Sequence, residues 1–82
     1  MAIRNSGGLP KGRMNLYGSK LRQLRKERRL TIKVVAERLQ LAGWDVGETS
    51  ITHIELGRRS IIDCELALIL KAIGARLSDL ER

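Results

Sequence analysis

Between Thr31 and Gly57 the chain reads TIKVVAERLQLAGWDVGETSITHIELG, and its apolar residues recur at helical rather than strand spacing. Ile32, Val35, Ala36 and Leu39 fall at i, i+3, i+4 and i+7, one stripe of an α-helix. After a turn marked by Gly43 and Gly47, Ile51 and Ile54 sit three apart, while Thr49, Thr52 and His53 project elsewhere. A short helix with so thin an apolar stripe is poorly made for a core alone. It suits a helix that lies on a scaffold and presents a hydrogen-bonding edge to something polar.

The scaffold must be helical too. Eighty-two residues make one small domain, and with no Phe, one Trp and one Tyr its core has to be aliphatic. Nowhere do β-branched residues alternate cleanly with polar ones over a strand's length. The single proline, Pro10, precedes every helical pattern and breaks none of them.

Charge narrows the partners. Residues 1–30 hold nine Lys or Arg against one acid, Glu27, whereas residues 31–82 hold seven against eight. A nearly neutral body with a strongly basic front points to a polyanion, nucleic acid first and an anionic membrane surface second; solubility alone is the plainer explanation. The lone Cys64 has no partner for an internal disulfide, which fits a reducing, cytoplasmic setting. One Cys and one His cannot build a Cys/His zinc site, and no cofactor is expected. No apolar run approaches the roughly 18 residues of a membrane span, and no signal-peptide core is expected.

In chain order, residues 1–17 read as a flexible basic arm carrying Gly7, Gly8, Gly12, Arg4, Lys11 and Arg13, and residues 18–82 as the domain. The arm is either an untidy terminus or a device for neutralising phosphates. A first helix is expected over Ser19–Arg29, with Leu21 and Leu24 inward and a cationic outer face; Arg25, on the inward side, needs an acidic partner. Thr31 caps a second helix that continues through Leu41 or on to Trp44. The third spans Glu48–Leu56, begun either by an Asp45-x-x-Glu48 capping box or by Gly47, and ended by Gly57. A fourth runs Asp63–Ile73 with Asp63 as N-cap and Gly74 as its stop, and Ser78-x-x-Glu81 opens a last short helix.

Taken in this order, LRQLRKERRLT, AERL, TSITHIELGRRS and LALILKAIGARLSDL resemble the phage-repressor-like (Cro/CI, XRE-type) helix-turn-helix family over about residues 20–80. The resemblance implies an all-α, compact five-helix, lambda-repressor-like domain, here with a lengthened helix 2 or turn. Leu39 and Ile51 lie twelve positions apart, about five more than is common in the family. Trp44 falls in that insertion, either capping the core between helices 2 and 3 or touching a partner.

Carried onto this chain, the family's base-reading positions are Glu48, Thr49, Thr52 and His53. Threonine and histidine suit base edges, and a threonine methyl suits thymine; Glu48 serves either a cytosine amino group or the helix N-terminus. Phosphate contacts fall to Thr31, Lys33, Ser50, Arg58 and Arg59, with Ile32 standing where the family often has a polar residue. The family's structural ion pair falls on Arg25 and Glu55.

The resulting expectation is a sequence-specific binder of double-stranded DNA, a cytoplasmic (bacterial or phage-type nucleoid-associated) transcriptional regulator or repressor. It acts as a homodimer through the helix 4–5 end, where Leu77 and Leu80 lie. The rivals are an antitoxin whose main partner is a small protein, and a non-specific nucleic-acid-binding module. No enzyme is expected, because no nucleophile and base are clustered.

Overall fold

The computed structural model describes residues 14–81. Within them four α-helices follow one another: α1 (Gly18–Glu27), α2 (Ile32–Leu41), α3 (Glu48–Glu55) and α4 (Asp63–Ile73). A single 3-10 helix, Leu77–Glu81, stands where a fifth α-helix was expected. It opens at Leu77, ahead of Ser78, and the Arg76 amide donates to the Asp79 carboxylate at 2.8 Å in place of the expected Ser78-x-x-Glu81 box. Five residues are too few to repay the nucleation of an α-helix, and the tighter i→i+3 pattern takes over.

All four α-helices close with the same pair of backbone bonds, a Schellman ending. In α2 the Trp44 amide donates to the Leu39 carbonyl and Gly43 to Gln40; in α3 Arg58 donates to His53 and Gly57 to Ile54. Such an ending needs one left-handed residue, which Gly43, Gly57 and Gly74 supply without a Cβ penalty. In α1 that place is taken by Arg29 at φ 57°, the one non-glycine residue with positive φ among the described residues. The α2 ending decides how the five-residue insertion is used. The helix stops at Leu41, Gly43 turns the chain, and residues 42–47 form a turn rather than more helix. Gln40 Nε2 donates to the Val46 carbonyl at 3.0 Å, and Val46 is buried in the core.

The helix starts are less uniform. Thr31 Oγ1 accepts from the Val34 amide at 3.2 Å, as its position before α2 predicts. The N-cap of α4 is Ile62 rather than Asp63, which becomes the first helical residue, and Glu65 Oε1 reaches back to accept from the Ile62 amide at 3.3 Å. At α3 the cap is Gly47 and no side chain caps the helix, so the Asp45-x-x-Glu48 box does not form.

The core is aliphatic, as the lack of phenylalanine requires. Leu21 and Leu24 of α1, Val35 and Leu39 of α2, Ile51 and Ile54 of α3 and Ile69 and Ile73 of α4 are all buried. Ile32 is half-buried against them, which commits it to packing rather than to an outward contact. Helix α3 lies on α1 and α2, and α4 lies on α2 and α1. Leu80 is also buried, contrary to its expected place on a dimer surface; only Leu77 of that pair is exposed.

Candidate nucleic-acid interface

At 100° per residue, Glu48, Thr52, Leu56, Thr49 and His53 cover an arc of about 140° on α3. Glu48, Thr49, His53 and Leu56 are exposed and Thr52 is half-buried, while Ile51, Ile54 and Glu55, outside that arc, are buried. The four base-reading candidates therefore share one outward face. Thr52 Oγ1 donates to the Glu48 carbonyl at 3.0 Å, which leaves its oxygen lone pairs and its methyl for outward contacts. Leu56, 45% exposed, extends the same face by a turn; its place at the end of the helix gave no sequence signal for this.

The inward side of α3 is held by a buried ion pair. Arg25 Nε lies 2.7 Å from Glu55 Oε2 and Nη2 lies 3.0 Å from Oε1, a bidentate pairing, and Nη1 donates to the Leu30 carbonyl at 2.8 Å. One guanidinium thus joins α1, α3 and the α1–α2 connection. Charge-assisted, geometrically matched bonds of this kind are what keep a buried pair from being a net loss.

A second fastening lies in a stretch that composition assigns to the arm. The Asn15 side chain is buried: its Oδ1 accepts from the Tyr17 and Gly18 amides, and its Nδ2 donates to the Ile54 carbonyl at 3.1 Å and the Arg59 carbonyl at 2.8 Å. It satisfies the amide that opens α1 and clasps the end of α3 in one step. The Met14 amide adds a bond to the Gly57 carbonyl at 2.8 Å. Residues 14–17 are therefore tied to the domain, while Arg4, Lys11 and Arg13 of the expected arm lie outside the described residues. Asn15 three places before Gly18 is a legible capping spacing, masked by the Gly- and Lys/Arg-rich neighbours that suggest a loose terminus.

Gly18 completes the joint. A Cβ there would overlap the Ile54 and Glu55 carbonyl oxygens, so α1 approaches α3 as closely as only glycine allows.

The phosphate candidates divide by availability. Lys33 and Arg58 are exposed and have no side-chain partner among the described residues. Thr31 accepts from its own helix but keeps its O–H free to donate, and Ser50 is half-buried just past His53 at the edge of the α3 arc. Arg59 is partly engaged. Its guanidinium stands 5.6 Å from the Trp44 ring centroid and Nη2 lies 3.4 Å from Glu65 Oε2, which leaves its other N–H groups for a phosphate. Trp44 itself is half-buried and packs against the core from the lengthened turn.

Among the described residues there is no group of three His, Cys, Asp or Glu placed to hold a metal, and no helix long and apolar enough to cross a membrane. Two helices joined by a turn, the second offering a polar face from a fastened back, define a helix-turn-helix module. Residues 16–82 match the family described as helix-turn-helix domain, and the chain belongs to it. No curated protein and no solved structure matches the chain. Membership implies DNA as the partner, in a regulatory role.

Proposed function

We propose that this protein is a sequence-specific regulator of the phage-repressor-like, XRE-type group, which lays α3 in the major groove of double-stranded DNA. Thr49, Thr52 and His53 read base edges, and Glu48 favours the positive end of the α3 dipole or accepts from a cytosine amino group. Lys33 and Arg58 supply the first phosphate contacts, with Thr31 and Ser50 adding hydroxyls and Arg59 offering the N–H groups that do not face Glu65. Two copies bind two half-sites roughly 34 Å apart as a homodimer.

The observation that carries this reading is the exposed polar arc of α3, backed by a buried ion pair and a buried asparagine clamp. A face so firmly held, yet offering nothing to the core, is suited to presenting side chains at fixed positions.

Fluorescence anisotropy with duplexes selected from a random pool tests it. The parent should prefer the selected duplex over random DNA, with affinity falling steeply as salt rises. A Thr49→Ala/His53→Ala variant should lose that preference while keeping its stability to within about 0.5 kcal/mol, since both residues are exposed. Undiminished preference in the variant would remove α3 as the reader. Binding that is equal on all duplexes would make the protein a non-specific polyanion binder.

A further inference from the structure

The outer face of α4 carries Asp63, Ala67 and Lys71 at four-residue intervals, all exposed. The same three residues line an open groove with Leu66, Leu70 and Leu77, and Leu77 is 66% exposed. Neither Asp63 nor Lys71 has an ion-pair partner among the described residues. An acid and a base therefore stand at the two ends of a short apolar stripe, with a small residue at its midpoint. At 1.5 Å per residue the two charges are about 12 Å apart along the helix.

We infer that this face is the interface between two copies of the chain, with their α4 helices antiparallel and crossing at Ala67. The inference rests on the homodimer proposed above and gives it a register. A two-fold axis through Ala67 brings Asp63 of each copy opposite Lys71 of the other, so both charges are satisfied twice over, as an isologous interface requires. The small Ala67 side chain permits close approach of the helices, and Leu66 and Leu77 supply the apolar contact around it, over the buried Leu70. Antiparallel helices also set each positive N-terminus beside the other copy's negative C-terminus. A polyanion fits the stripe poorly, since Asp63 repels it at one end. A partner of single charge leaves one of the two ends opposed. The stripe is complementary to itself.

Sedimentation equilibrium of Asp63→Lys, Lys71→Asp and their equimolar mixture tests the register. Each variant alone places like charges together at both contacts, and its dimer should weaken by about tenfold or more. Mixed, the two variants restore both contacts, and a 1:1 heterodimer of parent-like affinity is expected. To cover the case in which a charge swap unfolds α4, a Cys64→Ser/Ala67→Cys protein should cross-link to a covalent dimer under mild oxidation, because the two introduced thiols meet at the axis.

A parent dimer indifferent to either swap, a mixture of folded variants that fails to reassociate, or no cross-link in the cysteine variant would each overturn the inference. So would a parent that stays monomeric up to about 1 mM. Titration of a single half-site duplex with the same variants keeps the outcomes apart. Selective binding there, alongside any of those failures, leaves α3 as the reader and removes only this interface.

Discussion

At its C-terminal end α3 is fastened by the Arg25–Glu55 pair, by Asn15 bonded to the Ile54 and Arg59 carbonyls, by Met14 bonded to Gly57, and by Gly18 pressed against the Ile54 and Glu55 carbonyls. At its N-terminal end a glycine cap without a side chain meets exposed Glu48 and Thr49, and Val46 of the turn is the nearest buried anchor. The contrast assigns different work to the two ends. The fixed end sets where the helix lies; the outward arc, running from Glu48 at the open end to His53, is where its side chains can meet a partner's edges. Substitutions at the fixed contacts should cost stability, and those of the arc's side chains should cost recognition.

Glu55→Ala should break this arrangement most. It strands the Arg25 guanidinium in a site where both side chains are less than a tenth exposed, and the loss should be about 3–5 kcal/mol in urea unfolding. Replacing both partners together, as in Arg25→Met/Glu55→Leu, should recover most of that loss, since no charge is then left buried. If Glu55→Ala alone unfolded at the parent's midpoint, the pair would not be what fixes α3.

Gly18→Ala is expected to come next, at about 1–3 kcal/mol destabilising, because a methyl group forces α1 away from the α3 carbonyls. This cost should appear although alanine is the better helix former by roughly 1 kcal/mol. A neutral or stabilising Gly18→Ala would mean that the two helices can part at no cost, and that the fixed end is less tightly joined than its geometry implies.

These two positions also show how far the sequence can be read. Arg25 and Glu55 lie on inward stripes thirty residues apart, and it is the family resemblance that couples them; periodicity alone leaves each as a charge in need of a partner. The α2, α3 and α4 spans follow closely from apolar spacing and glycine stops, because those signals are local. Gly18 and Asn15 were not legible as parts of the α3 joint, since their reason for being there is a neighbour thirty-six or more residues away. The exposed arc of α3 was readable as far as His53, because polar residues announce themselves. Leu56 belongs to the same arc, but an apolar residue at the helix end gives no such signal. Sequence leaves the lengthened turn open between helix and loop because Ala42 and Val46 continue the α2 stripe, and the left-handed Gly43 at φ 99° decides it.

The smallest expected effect has the opposite sign and falls on the other end of α3. Gly47 caps the helix with φ −99° and ψ 173°, a conformation any residue adopts, and a Cβ there would meet nothing within 4 Å. Gly47→Ser should therefore gain from a less flexible unfolded chain, plus a few tenths from a hydroxyl that accepts from the α3 amides, for a net stabilisation of about 0.4–1 kcal/mol. Urea unfolding of Gly47→Ser beside Gly18→Ala sets two glycine replacements against each other, one at each end of the same helix contact. A shift of the midpoint in opposite directions is the outcome the geometry requires. Loss of stability in both would mean that the turn before α3 is also under packing constraint, and that the open end is held by contacts as close as those at the closed one.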